Sequence, residues 1–201
     1  MTEEERLNEI LNTYCEVVKP LLVTIETRCN VVPVNCLNEI RALNDHIARC
    51  YRQDATEEDR NRDLSKAEGH VRRLIFDCFK QLNISLFEKI EWYEKKFYST
   101  KWQIIDEGKF WQKYVECKRR ALEASVEAKK LETYKPELSM QHYEYSYQNY
   151  CEIEKMFLEH KKDMFLSRML GWFQNVNSWA LWAFLTVLSA ILSTLICEWI
   201  A

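Results

Sequence analysis

The scarcity of glycine and proline constrains this chain more than any other feature of its sequence. Three Gly and three Pro occur in 201 residues, well below their average use of about 7% and 5%. Sheets need frequent turns, and turns draw on Gly, Pro, Asn and Asp. A chain with so few breaks is therefore predicted to form long helices, and the expected fold class is all-α.

Apolar residues at helical spacing place these helices along the chain. Thr2 with Glu5 and Thr56 with Asp59 have the pattern of capping boxes, which mark helix starts. Together they predict an elongated helical bundle over residues 1–168. Its helices are expected over about 2–28 (kinked at Pro20), 34–53, 56–98 (which can bend near Asn83), 99–133 starting at Ser99 or Thr100, and 137–168.

The last part of the chain differs in composition. No charged residue occurs from Met169 to Cys197. Since a helix needs about 20 apolar residues to cross a bilayer core, residues 169–201 are predicted to form a single C-terminal transmembrane helix. The alternative is a buried helix of a large core. Basic residues, which favour the cytoplasmic side, precede the run at Lys161, Lys162 and Arg168.

Small and polar residues recur every three or four positions along this predicted helix. Such a face lets membrane helices approach closely and hydrogen-bond, or it borders water. A single helix cannot enclose a channel, so a pore requires a homo-oligomer. The alternative is a plain anchor whose hydroxyls bond back to their own helix. The predicted polar face consists of Asn175, Ser178, Thr186, Ser189 and Ser193.

The net charge of −3 excludes a general attraction for nucleic acid, so any contact with RNA has to be local. The second predicted helix nevertheless contains Arg41 and His46 in the segment NEIRALNDHIARCY. Arg binds phosphate and stabilises developing negative charge, and His can act as acid or base near neutral pH.

Five helical residues turn by about 500°, which leaves Arg41 and His46 roughly 140° apart. Neighbouring subunits can therefore aim the pair at one phosphate more easily than one helix can. A structural role is an equal alternative, in which Arg41 pairs with Asp45 or Glu39 and His46 is a packed or hydrogen-bonded residue.

Through this Arg-x4-His motif the chain resembles the HEPN superfamily, small helical bundles that often dimerise and cleave RNA. HEPN nucleases usually have a polar residue directly after the Arg, where Ala42 stands here, and this disfavours nuclease activity. With the predicted membrane segment, the chain also resembles the membrane accessory proteins of type VI-B CRISPR systems. That resemblance implies a ring-shaped pore that strengthens RNA-triggered defence against phage.

The expected function is thus a non-enzymatic, oligomeric effector of CRISPR-associated antiviral defence, which permeabilises the bacterial inner membrane when a nucleic-acid-sensing partner is active. It would be a single-pass protein with a cytoplasmic N-terminal domain. Its expected partners are the lipid membrane, further copies in a ring, and a CRISPR effector complex or its RNA. Alternatives are a membrane-tethered HEPN ribonuclease using Arg41 and His46, and a tail-anchored structural adaptor. Neither a cofactor, a metal nor a small-molecule substrate is expected.

Overall fold

The structure is a computed structural model that describes residues 2–98, 102–175 and 178–200, apart from the side chains of residues 171–179, 181 and 194–200. Within these ranges the chain is helical and has no strand, which confirms the all-α prediction. A π-helical turn, Tyr14–Val18, joins α1 to α2, and a 3-10 segment, Trp102–Gly108, precedes α5. The helices are α1 (Glu3–Thr13), α2 (Lys19–Cys29), α3 (Val34–Cys50), α4 (Glu57–Lys96), α5 (Lys109–Leu131), α6 (Pro136–Glu159), α7 (Lys161–Asn175) and α8 (Ser178–Ile200).

The first two helices and the π turn form one continuous helical segment. The predicted capping box fixes its start: the Thr2 N–H donates to the Glu5 carboxylate at 2.7 Å, and the Glu5 N–H donates to the Thr2 hydroxyl at 3.2 Å. Pro20 has no N–H, and its ring crowds the carbonyl four residues earlier. That carbonyl belongs to Glu16, inside the π turn. The irregularity expected at Pro20 is therefore a widened turn that precedes it.

α4 is the spine of the molecule. It has 40 residues, about 60 Å of helix, and it buries apolar side chains along its whole length. Its first half packs against α1, α2 and α3 in one core cluster, and its second half packs against α5, α6 and the 3-10 segment in another. The α4 residues at the centre of these two clusters are Leu64, Leu74, Leu82, Leu86 and Ile90.

The possible bend near Asn83 falls inside α4, which runs without interruption through this position. The Asn83 side chain is buried and its amide nitrogen donates to the carbonyl of Phe79 at 2.9 Å and to that of Tyr143 at 3.2 Å. The second bond reaches α6. Asn83 thus ties the spine to a neighbouring helix instead of breaking it.

Two of the predicted helices have other bounds in the structure. The start predicted at Ser99 or Thr100 lies outside the described residues, and α5 begins at Lys109, after a left-handed stretch at Asp106–Gly108. The helix expected over 137–168 is divided, since α6 ends at Glu159 and α7 follows from Lys161. The boundary predicted between residues 168 and 169 consequently lies within α7.

The prediction of a transmembrane helix is also wrong. Across the described residues, no helix offers a stretch that is both long enough and apolar enough to cross a membrane. The predicted single-pass topology and inner-membrane localisation, which depended on that helix, are wrong as well. The charge-free run from Met169 to Cys197 is shared between α7, which ends at Asn175, and α8, which begins at Ser178.

A buried carboxylate links three helices near the middle of the molecule. Glu154 of α6 is 8% exposed. Its two oxygens accept from Arg28 of α2 at 2.9 Å and from Lys89 of α4 at 2.6 Å. These hydrogen bonds offset the burial, which alone would raise the pKa of Glu154, so that this pKa is lowered. The carboxylate therefore stays charged between its two cations.

We expect Glu154→Gln to lower the free energy of unfolding by about 1–3 kcal/mol, because it leaves Arg28 and Lys89 without a charged acceptor. Urea unfolding followed by circular dichroism measures this change. The matched control is Glu159→Gln, whose side chain is 57% exposed and meets Lys155 only at 3.8 Å, and which should change stability by less than about 0.5 kcal/mol. Equal effects of the two variants would contradict the bridging role.

Candidate functional site

Two histidines and two carboxylates lie between α3 and the first half of α4. Glu39 and His46 are two turns apart on α3, as are Asp63 and His70 on α4. The helices are antiparallel here, because His46 contacts Asp63 while Glu39 contacts His70. Each helix thus supplies one acid and one histidine. In each pair the histidine of one helix bonds to the acid of the other, and this is called the crossed arrangement below. These four residues and Arg73 are called the histidine cluster below.

The first pair is almost enclosed. His46 Nδ1 lies 2.7 Å from Asp63 Oδ1, and their side chains are 12% and 6% exposed. An ionised carboxylate can only accept, so the Nδ1 hydrogen points to Asp63. This bond fixes the orientation of the ring and leaves Nε2 as the nitrogen that can exchange a proton.

The second pair has the same geometry with a cation added. His70 Nδ1 lies 2.7 Å from Glu39 Oε2, and Arg73 Nε donates to the same oxygen at 3.1 Å. Burial raises the pKa of Glu39, but the hydrogen bonds from His70 and Arg73 outweigh it, and the pKa is lowered. Glu39 is therefore an anion that holds both neighbours in place.

The two imidazole rings are stacked. The ring centroids of His46 and His70 lie 5.2 Å apart, with 20° between the ring planes. Each ring is oriented by its own carboxylate, so the relative position of the two does not depend on solvent. Two imidazoles held this closely can serve as a general base and a general acid on one substrate.

A polar cavity of about 440 Å³ adjoins the cluster and shares Asp63 with it. Two of its cations are neutralised, since Arg52 pairs with Asp54 and Arg62 pairs with Asp59. Its other two cations, Arg49 and Lys66, have no ion pair among the described residues. Two cations without an ion pair among the described residues therefore line a cavity that reaches Asp63, although the whole chain is negative.

Of the predicted pair, the structure brings His46 into this site and leaves Arg41 outside it. Arg41 is exposed and forms no ion pair within the described part of the chain, neither with Asp45 nor with Glu39. Glu39 is engaged by His70 and Arg73 instead. Within one chain, Arg41 and His46 do not converge.

The sequence analysis missed the carboxylates and His70. A signal was present: an acid precedes a histidine by the same two-turn spacing on consecutive helices, in Glu39–His46 and again in Asp63–His70. On two antiparallel helices joined by a short turn, equal spacings bring acid opposite histidine twice. This repeated spacing becomes informative only when the two helices are recognised as one antiparallel helical hairpin.

The predicted polar face of the last helix is used internally wherever it is described. The hydroxyls of Thr186, Ser189 and Ser193 donate to carbonyls of their own helix, at Trp182, Thr186 and Ala190, over 2.7, 2.8 and 2.8 Å. The side chains of Asn175 and Ser178 lie outside the described residues.

Comparisons with known proteins add no further identification. No family model matches the chain, and neither a curated protein nor a solved structure is significantly similar to it. Among the described residues, no group of three or more His, Cys, Asp or Glu side chains is arranged to hold a metal ion. The assignment of a role therefore rests on the geometry of the histidine cluster and its surroundings.

The lowered pKa of Glu39 predicts a pH dependence. A carboxyl whose pKa falls on folding stabilises the native state above its unfolded value, close to 4.5 for this residue type, and loses that contribution as the pH falls through the folded value. Glu39→Gln should therefore be less stable than the wild type at about pH 6, and this gap should narrow steadily below about pH 4.5.

Chemical unfolding at a series of pH values measures this gap. Glu26→Gln, at an exposed position of α2, is the matched control and should show no comparable gap at any pH. A gap for Glu39→Gln that stays constant down to about pH 3 would show that its cause is not the charge of the carboxylate.

Proposed function

We propose that the histidine cluster is the active site of a HEPN-like ribonuclease. The observation that carries this proposal is the crossed arrangement, in which two stacked imidazoles are each held by a carboxylate beside a cavity with unpaired cations. This is the set of groups that cleavage of a phosphodiester needs: a base, an acid and positive charge for the phosphate.

The chemistry follows from these groups. A base nitrogen of one histidine accepts the proton of the RNA 2′-hydroxyl, whose oxygen then attacks the adjacent phosphorus. The bond from phosphorus to the 5′-oxygen breaks, and the second histidine, in its protonated form, donates a proton to that leaving oxygen. Arg49 and Lys66 attract the phosphate, and their charge favours the anionic transition state.

Two further observations fit this role. Ala42 lacks the polar side chain usual after the motif Arg, but His70 supplies a second ionisable group directly against His46. Arg41 is exposed and without an ion pair among the described residues, so it is available to a phosphate bound by a second copy of the chain. In this proposal Arg41 acts across a dimer, as the angle between Arg41 and His46 on α3 requires.

Single-stranded RNA cleavage by the purified chain tests the proposal. His46→Ala and His70→Ala should each reduce the rate at least about 100-fold, the usual contribution of an acid or base. His160→Ala is the matched control, because His160 also pairs with a carboxylate, Asp163, at 3.0 Å but lies at the end of α6, outside the cluster. It should leave the rate unchanged.

Melting temperatures of the variants separate a loss of catalysis from a loss of fold. If the wild type leaves RNA intact over a range of pH and divalent-metal conditions, the cluster is a structural ion-pair network and the proposal fails. It fails equally if folded His46→Ala and His70→Ala variants cleave RNA as the wild type does.

A second candidate is an oligomeric effector of antiviral defence, and the exposure of α8 favours it. Every described side chain from Trp182 to Ser193 is exposed although most are apolar, Trp182 by 70% and Phe184 by 63%. A helix that is apolar on all sides is normally covered. We propose that α8 helices of several copies cover one another. Through the resemblance stated above, a CRISPR effector complex or its RNA would be the partner.

Replacing Leu185 and Leu192 together with Glu should convert the oligomer to monomers, because charges on the apolar surface of α8 oppose its burial. Light scattering coupled to size-exclusion chromatography measures the mass. Thr186→Ala with Ser193→Ala is the matched control at the same spacing, and it should leave the mass unchanged, since these hydroxyls bond only to their own helix. A monomeric wild type would exclude this assembly.

A further inference from the structure

A second cavity, about 310 Å³ in volume, is lined largely by aromatic rings. It lies where the end of α4, the 3-10 segment and the start of α5 meet, almost seven turns of α4 away from His70, or about 36 Å. It is therefore separate from the histidine cluster. The residues that line this aromatic pocket are Glu94, Tyr98, Trp102, Gln103, Trp111 and Tyr114.

The pocket has one fixed wall and two accessible rings. Trp102 is 7% exposed, and its indole N–H donates to the Phe97 carbonyl at 3.0 Å. It packs edge-to-face against Trp111 and Tyr114, with ring centroids 5.8 and 5.1 Å away. Trp111 and Tyr98 are 37% and 90% exposed. Flat aromatic surface is thus presented to solvent on a rigid base.

The backbone beside the pocket is strained. Asp106 and Glu107 have φ values of 47° and 55°, and Gly108 follows at 88°. A left-handed conformation is unfavourable for residues with a side chain and persists where surrounding contacts impose it. A Cβ atom on Gly108 would lie 3.2 Å from the Gln103 carbonyl oxygen. This tight reversal brings Gln103 and Trp111 to the same pocket, and such strain is typical of functional sites.

The charges at the pocket favour an uncharged aromatic ligand over a cation. Glu94 accepts from Tyr114 and Lys118, and the Lys118 ammonium lies 5.7 Å from the Tyr114 ring. Because Lys118 already neutralises this carboxylate, the pocket offers no free negative charge to a cationic ligand.

We infer that the aromatic pocket binds a nucleobase of single-stranded nucleic acid. The base stacks on Trp111 and Tyr98, since base faces stack on aromatic side chains whatever their sequence. The side-chain amide of Gln103, exposed and without a hydrogen bond among the described residues, offers a donor and an acceptor to the edge of the base. This inference stands whether or not the histidine cluster cleaves RNA.

The test uses a fluorescein-labelled octamer of deoxythymidine, which has no 2′-hydroxyl and cannot be cleaved by the proposed reaction. Binding to the full chain is followed by fluorescence anisotropy at low salt. Trp111→Ala and Tyr98→Ala should each weaken binding about tenfold, a typical loss for one stacked base. Trp111→Phe keeps a flat ring and should restore most of the affinity.

Tyr134→Ala is the matched control for Tyr98→Ala, because Tyr134 is 65% exposed and lies outside the pocket. It should bind as the wild type does. If Trp111→Ala binds the octamer as tightly as the wild type, the inference is wrong. A second result would also contradict the inference: tetramethylammonium binds to the wild type but not to Trp111→Ala, while the octamer does not bind. The pocket would then be a site for cations.

Discussion

The uninterrupted apolar stripe of α4 is the constraint on which both halves of this fold depend. The helix begins at a capping box formed by Thr56 and Asp59 and continues for 40 residues. Its buried leucines and isoleucines belong to two separate clusters, and each such side chain contributes about 1.5–3 kcal/mol on burial. Because one rigid helix carries both clusters, the histidine cluster and the aromatic pocket keep a fixed separation.

The histidine cluster lies at the polar edge of the α3–α4 contact, where stability alone would not require it. Moving charges out of water is costly, and well-packed apolar residues often replace a buried ion pair without loss of stability. Two crossed acid–histidine pairs in contact are therefore more than the helix contact needs. What these pairs contribute is orientation, since each carboxylate fixes the position of one imidazole ring.

The distribution of charge matters more here than its sum. Most arginines elsewhere in the described chain are engaged by acids, as Arg6 is by Glu68 and Arg28 by Glu154, and the exceptions there are Arg72 and Arg168. On α3, Arg41 and Arg49 have no such partner among the described residues. A net charge of −3 excludes a general affinity for nucleic acid, but it leaves room for a local site with uncompensated cations, and such a site borders Asp63.

The sequence by itself determined the all-helical fold class and the capped starts of α1 and α4, because capping boxes, apolar periodicity and the lack of Gly and Pro act through contacts close along the chain. It also singled out His46. It misjudged the last region, where a charge-free run was taken as one membrane-spanning helix although the described chain divides it between α7 and α8. The pairing of His46 with Asp63 and of Glu39 with His70, and the meeting of Trp111 with Trp102 and Gln103, were decided only by the tertiary structure. These contacts depend on how helices pack and on a left-handed reversal at Asp106–Gly108, and such geometry arises from interactions between segments that local propensity does not encode.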